Sequence, residues 1–145
     1  MPEVTIYSDG ACEGNPGPGG YAAIVDVDGD RREILGGERR TTNNRMELKA
    51  VIAALALLAE PASVRVVTDS QYVAKGMTSW IHGWKRKGWR NSSGEPVKNR
   101  DLWEELERLA RPHRVSWQWI RGHSGHPENE RADALARKAI QELTI

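Results

Sequence analysis

A single cysteine, Cys12, stands in 145 residues, which excludes an intramolecular disulfide and a cysteine-based zinc cluster and fits a reducing cytoplasm. No apolar run reaches the roughly 18 residues that a bilayer span needs. The first residues, Met1-Pro2-Glu3-Val4-Thr5-Ile6-Tyr7, lack a basic region followed by an apolar one, so neither a secretory signal nor a lipid anchor is expected. Internal repeats and low-complexity tracts are missing as well. What is present is a chain with 39% hydrophobic residues, of a length that buries roughly 70% of its unfolded surface. One soluble domain over residues 1–145, with a core that needs no metal or disulfide staple, is the expectation.

A strong charge of one sign is also lacking, since 21 basic residues face 20 acidic ones for a net of +1. The average hides a split. Residues 75–100 carry Lys75, Lys85, Arg86, Lys87, Arg90, Lys98 and Arg100 against Glu95 alone, a local +6, while the remainder carries −5. Because screening ends interactions beyond about 10 Å, a local field of this size matters to an approaching polyanion even when the total is near zero. Trp80, Trp84 and Trp89 are interleaved with Lys85, Arg86 and Lys87. Aromatic faces beside cations suit a nucleic-acid backbone and its sugars. Trp80 and Trp84, at i and i+4, also pack a helix in part, and Trp117 and Trp119 are expected in the core.

Residues 4–7 form a β-branched and aromatic run that reads as a strand turning at Ser8-Asp9-Gly10. The cluster Gly14-Asn15-Pro16-Gly17-Pro18-Gly19-Gly20 predicts loop. Residues 21–27 and 31–35 predict two strands joined at Asp28-Gly29, a dipeptide suited to a type I′ hairpin, so the chain opens as an antiparallel meander. Residues 41–47 offer several helix caps, and residues 50–59 are ten apolar residues in a row, a helix buried nearly all round that Pro61 stops. Residues 64–68 predict a strand ending at Asp69, after which Ser70 caps a helix with Val73, Met77, Trp80, Ile81 and Trp84 on one face. Asn99 caps a helix carrying Leu102, Leu106, Leu109 and Ala110, and residues 114–120 alternate as a strand. Pro127 opens a last helix with Ala132, Leu135, Ala136, Ala139, Ile140 and Leu143 at i, i+3, i+4 spacing.

Two of these strands end alike, in Asp9 and Asp69. The long helix between the third strand and the strand at residues 64–68 lets the latter return parallel, and both aspartates then sit at the C-terminal edge where open α/β sheets place their sites. Either alone is ordinarily a turn former or a cap. Glu47 opens a helix that is otherwise almost wholly apolar, and Asp133 follows the core position Ala132, with Glu130 on the same side. Charge in a first helical turn complements the dipole, a sufficient reason for Glu128 and Glu130 but a weaker one for Glu47 and Asp133. Four carboxylates converging without basic partners would repel one another, so the arrangement calls for bound cations, and oxygen ligands favour Mg²⁺ or Mn²⁺ over zinc. His123-Ser124-Gly125-His126 sits on a glycine loop and is a poor zinc signal; His126 reads as structural and His123 as a mobile proton carrier.

Four blocks now stand out. Asp9-Gly10-Ala11-Cys12 with Gly14-Asn15-Pro16-Gly17, Thr41-Thr42-Asn43-Asn44-Arg45-Met46-Glu47-Leu48, Thr68-Asp69-Ser70-Gln71-Tyr72-Val73, and the run from Gly122 to Asp133 resemble the signature blocks of bacterial type 1 ribonuclease H. They stand in that family's order and cover residues 4–143. The resemblance implies an α/β, ribonuclease H-like fold: a five-stranded mixed sheet, three antiparallel strands and then parallel additions, flanked by helices and carrying a basic protrusion at about residues 80–100. It implies that Asp9, Glu47, Asp69 and Asp133 hold two Mg²⁺ ions, which Mn²⁺ can replace, and that His123 assists proton transfer or product release. One ion would lower the pKa of the attacking water and the other stabilise the departing 3′ oxygen, leaving a 5′-phosphate and a 3′-hydroxyl.

The same resemblance places Asn15, Asn44 and Gln71 beside the cut RNA strand, where a 2′-OH contact tells RNA from DNA. Thr42 and Asn43, with Trp80, Trp84, Lys85, Arg86, Lys87 and Trp89 of the protrusion, would hold the DNA strand. The implied activity is endonucleolytic cleavage of the RNA strand of RNA/DNA hybrids with little sequence preference, by a lone catalytic domain acting as a cytoplasmic monomer. Two rivals remain: a non-catalytic hybrid-binding module built on the same protrusion, and an integrase-like or transposase-like nuclease that cuts DNA. The continuous blocks at residues 44–47 and 123–133 argue against the second.

Overall fold

The computed structural model describes residues 1–122 and 125–143. Strands β1 (Glu3–Cys12), β2 (Gly17–Val27) and β3 (Asp30–Thr41) form the expected antiparallel meander. Strands β4 (Ser63–Thr68) and β5 (Arg114–Trp119) add in parallel beyond β1, giving the order β3-β2-β1-β4-β5. The five-stranded mixed sheet inferred from the resemblance is the sheet observed. Asp28 and Gly29 turn between β2 and β3 with φ of 50° and 93°, as a type I′ turn requires.

The strands run longer than their apolar segments. β1 does not turn at Ser8-Asp9-Gly10 but continues to Cys12, and β2 begins at Gly17, inside the cluster expected to be loop. Pairing explains both: Asp9 faces Ala22, Cys12 faces Gly19, and Gly20 lies between Ala11 on one side and Gly37 on the other. Hydrogen bonding to neighbours on both flanks outweighs the poor strand propensity of glycine.

Helix α1 (Asn43–Ala56) starts where Thr42 Oγ1 accepts from the Arg45 N–H at 3.3 Å. Its buried residues, among them Met46, Leu48, Val51, Ile52 and Leu55, meet β1, β2 and the later helix α4. It ends at Ala56, short of Pro61, in a tightened turn where the Leu57 and Leu58 N–H groups reach back to Ala54 and Leu55. The stop is therefore not proline's doing. Leu57 already lies exposed beyond the core.

After β4, α2 (Gln71–Lys75), a π-helical turn at Gly76–Trp80 and α3 (Ile81–Arg86) make one continuous helical stretch. A π turn holds more residues than an α turn and shifts the phase of the apolar face. Val73 and Ile81 are buried, while Trp80, expected on the same face, is 40% exposed. Gly76 sits at the shift because Trp103 fills the space beside it: a Cβ there would stand 2.0 Å from Cη2 of that indole. Helix α4 (Arg100–Ala110) buries Leu102, Trp103 and Leu106. Asn99 precedes it in left-handed backbone and does not cap it with its side chain. The side chain instead donates to the Tyr72 hydroxyl at 3.1 Å and accepts from Arg45 Nη1 at 3.3 Å.

β5 is an edge strand whose main neighbours are β4 and α2. Trp117 is half-buried and Trp119 is 44% exposed, so Trp119 is not a core residue. Helix α5 (Pro127–Glu142) packs Ala132, Leu135, Ala136, Ala139 and Ile140 onto the meander, and Arg131 ties it to β3 by a bidentate pair with Glu33 at 2.7 and 2.9 Å. Among the described residues no helix is long and apolar enough to cross a membrane.

The Gly76 contact can be tested against helix propensity. Gly76→Ala gains about 1 kcal/mol of propensity and meets an overpacking cost of about 1–3 kcal/mol, so urea unfolding should show net destabilisation. Gly83→Ala, with nothing nearer than 3.9 Å, should be neutral or stabilising. Equal effects at the two positions would mean that Trp103 yields freely.

Candidate active site

The parallel ladder between β1 and β4 ends at Ser8 opposite Thr68, so Asp9, within β1, and Asp69, just past β4, stand at the same level. That level is the carboxyl edge of the sheet, as the strand endings predicted. Glu47 reaches them from the second turn of α1. The Gly10 N–H donates to its Oε1, and a Cβ on residue 10 would lie 2.5 Å from the Glu47 nitrogen, so the bare backbone of Gly10 is what lets α1 dock this close. Ligand oxygens of Asp9, Glu47 and Asp69 all lie within 4.8 Å of one another. The chain after β4 is pinned: Ser70 N–H donates to Thr68 Oγ1, Val73 N–H to Ser70 Oγ, and Trp119 Nε1 to the Asp69 carbonyl at 3.0 Å.

Asp133 faces the same cleft from α5, one position after the fully buried Ala132. It is not a carboxylate without a basic partner. Arg137, one helical turn on, donates from Nε to Asp133 Oδ2 at 3.0 Å. The expectation of four unpaired acids is corrected by this i, i+4 pair, whose spacing is legible in the sequence once Asp133 is singled out.

Burial dominates the electrostatics. It pushes Asp9 up to about 10, with the charges of Glu47 and Asp69 adding in the same direction. Burial likewise raises Glu47, 4% exposed, to about 7, against the opposing hydrogen bonds from Asp9 and the Gly10 N–H. In the metal-free protein this pair holds a proton at neutral pH. A set of carboxylate oxygens this close, desolvated and mutually repelling, is the donor chemistry that hard divalent cations fit. The described residues thus suit Mg²⁺ or Mn²⁺.

Of the other residues singled out, Asn43, Asn44 and Gln71 line the cleft together with Tyr72 and Cys12. Asn15 Oδ1 accepts from the Asn43 N–H at 3.1 Å, and Thr42 caps α1. Trp80 stands edge-on to Tyr72 at 6.0 Å and leads to Trp84, which packs against Trp103 at 5.2 Å and Trp89 at 6.4 Å. Trp84 and Trp89 are half-buried against the core, and Trp80 presents its indole outward. Lys85 Nζ is bound to Glu107 Oε1 at 3.0 Å, whereas Arg86 and Lys87 are exposed and make no ion pair among the described residues. His123 lies outside the described residues. His126 occupies the N-cap of α5, with Nδ1 3.9 Å from Glu128 Oε1. Among the lining residues, Glu13, Tyr72 and Arg137 received no role from the sequence.

The raised carboxyls set the sign of a pH effect. A group whose folded value stands above its ordinary 3.8 favours folding fully below that pH and loses the contribution as pH climbs toward the folded value. Asp9→Asn, which cannot ionise, should therefore stabilise the metal-free protein by about 1–3 kcal/mol at pH 7, with the gain vanishing below about pH 4. Urea unfolding in EDTA across this range measures it, and a gain that persists in acid would refute the assignment to ionisation.

Comparison with known proteins agrees with this geometry. The RNase H family model matches residues 1–141. A ribonuclease H of Pelobacter propionicus is 64% identical over 140 residues, 97% of this chain and 86% of that protein. One of Cupriavidus necator is 58% identical over 143 residues, 99% of each chain. The crystal structure of LC9-RNase H1, described as a type 1 RNase H with the type 2 active-site motif, superposes with a TM-score of 0.88 at 39% identity, covering 98% of this chain and 74% of that one. A match that runs through all five strands and every helix leaves one assignment: the chain belongs to the ribonuclease H family.

Proposed function

We propose that this protein is an endoribonuclease that hydrolyses the RNA strand of RNA/DNA hybrids, using divalent cations held by Asp9, Glu47, Asp69 and Asp133. The convergence of Asp9, Glu47 and Asp69, with ligand oxygens within 4.8 Å, carries this reading. Two such ions, Mg²⁺ with Mn²⁺ as a substitute, would supply a water of lowered pKa and a stabilised 3′ leaving oxygen, giving 5′-phosphate and 3′-hydroxyl products.

The side chains hold and aim. Asp9 and Asp69 are set by adjacent strands and Glu47 by a docked helix, so their spacing is a property of the fold rather than of a loop. Asp133, on the wall of the cleft, adds a fourth carboxylate, and His123 carries the proton to the departing oxygen or speeds product release. Asn15, Asn44 and Gln71 contact the RNA strand, where the 2′-OH gives the discrimination against DNA. Thr42 and Asn43 hold the DNA strand. Trp80, Arg86 and Lys87 meet its backbone at the protrusion, with Trp84 and Trp89 supporting them and Lys85 shared with Glu107. Residues 1–145 then form one catalytic domain, with its protrusion at about 80–100, acting as a cytoplasmic monomer with little sequence preference.

Asp69→Asn should lower hybrid cleavage by about a thousandfold or more while leaving hybrid binding intact. Assaying wild type on hybrid, duplex DNA and duplex RNA under one set of conditions checks the substrate. Cleavage of duplex DNA alone, or full turnover by the variant, would sink the proposal.

Arg86→Ala and Lys87→Ala should each raise KM more than they lower kcat and cut the slope of log affinity against log salt by about 0.7–0.9. Lys85→Ala should cut it less, since Glu107 already offsets that cation. Identical slopes throughout would make the run a solvated face.

A further inference from the structure

Arg137 is the one cation lining the cleft among the described residues, and the reading above gives it no task. Its side chain is 64% exposed. A guanidinium carries five N–H donors in a planar fork, and Arg137 spends only the Nε–H, on Asp133 Oδ2 at 3.0 Å. Both terminal nitrogens, with four N–H bonds, therefore lack an acceptor among the described residues. Other arginines of the molecule differ: Arg45 closes two prongs on Asp101 and Arg131 closes two on Glu33. Glu13, which lines the same cleft, makes no ion pair with Arg137 among the described residues.

The helix that carries the guanidinium is held in place, and one bond draws the fork toward the cleft. Ala136 and Ala139 on either side pack α5 onto the sheet, and the bond to Asp133 turns the Nε edge of the fork inward and leaves the terminal nitrogens facing away from that carboxylate. A cation so oriented beside a cluster of carboxylates serves an anionic substrate in two ways. It lowers the local repulsion that the carboxylates exert on a phosphate, and its free edge matches two phosphate oxygens at once. Four residues, a rise of about 6 Å along α5, separate the Arg137 backbone from that of Asp133, and the fork reaches back to bond Asp133 on the wall of the cleft.

We propose that Arg137 binds a phosphate of the RNA strand neighbouring the one that is cut, with Asp133 setting the orientation of the fork. The inference rests on the endoribonuclease reading above.

The test uses the non-cleaving Asp69→Asn protein and a short fluorescein-labelled RNA/DNA hybrid, with affinity read by anisotropy over a KCl series at constant Mg²⁺. Adding Arg137→Ala should weaken binding about tenfold at low salt and reduce the salt slope by about 0.7–0.9. Arg137→Lys should keep the slope but recover only part of the affinity, because a point charge lacks the fork. A titration with Mg²⁺ alone on the Arg137→Ala protein, Asp69 intact, should show affinity unchanged or tighter, since a like charge has been removed. An unchanged salt slope together with weaker Mg²⁺ binding would overturn the proposal and leave Arg137 as a positioning residue for Asp133. If the Asp69→Asn protein binds no hybrid with Arg137 in place, the endoribonuclease reading fails and this inference fails with it.

Discussion

The register of two parallel strands forces two carboxylates together, and the rest of the molecule is arranged around that repulsion. Ser8 opposite Thr68 puts Asp9 beside Asp69, and neither strand can slip without turning its apolar face away from the core. Glu47 adds a third acid from a helix whose other buried residues are apolar. Ionised Asp9 and Glu47 oppose folding by themselves: desolvation and the charges beside them work against both. The core between the sheet, α1 and α4 makes up the difference, with Ile6, Leu48, Leu55, Val66, Trp103 and Leu106 all excluded from water. The site thus draws on stability supplied elsewhere, which is the usual relation between a functional cluster and its scaffold.

Much of this arrangement was legible in the sequence because it follows from short-range pattern. Alternation and helical spacing located all five strands and the long helices, and two strands ending in aspartate pointed to the carboxyl edge. Glu47 stood out as a charge in an apolar helix, and four spaced blocks pointed to the family. What escaped depends on partners across the chain. Gly17–Gly20 become strand only because β1 and β3 flank them, and Asp9 lies within a strand for the same reason. Trp119 looked buried by alternation, but its strand lies at the edge of the sheet, and its indole serves the Asp69 carbonyl instead. Asn99 looked like a cap and is a link between Arg45 and Tyr72. Arg137 was missed because its importance comes from facing the cleft, which spacing alone does not report.

Charge shows the same difference between sequence and space. The +6 segment is followed directly by Asp101, Glu104, Glu105 and Glu107. The fold returns some of those acids to it, as Lys85 bonds Glu107 and Arg100 pairs with Glu104. Among the described residues, five cations of the segment keep no ion pair, Lys75, Arg86, Lys87, Arg90 and Lys98, and Arg86 and Lys87 stand together at the end of α3. On the other side of the cleft Arg137 is balanced by Asp133 on one edge only. The molecule has discrete cationic points set around an acidic centre, and near-neutrality overall is the sum of the two.

The π-helical turn at Gly76–Trp80 acts as a phase slip between two halves of one helix. Upstream, α2 is locked to the carboxyl edge by Ser70; downstream, α3 carries the protrusion. One residue more or fewer in that turn would rotate everything beyond it by about 100° about the helix axis, without disturbing α2. The length of those five residues is therefore tied to the core as well, because Ile81 and Trp84 beyond the slip pack inward only in the phase that it sets. The protrusion takes its direction from the same Trp103 that fills the space beside Gly76, so one buried indole gauges both the slip and the surface that follows it.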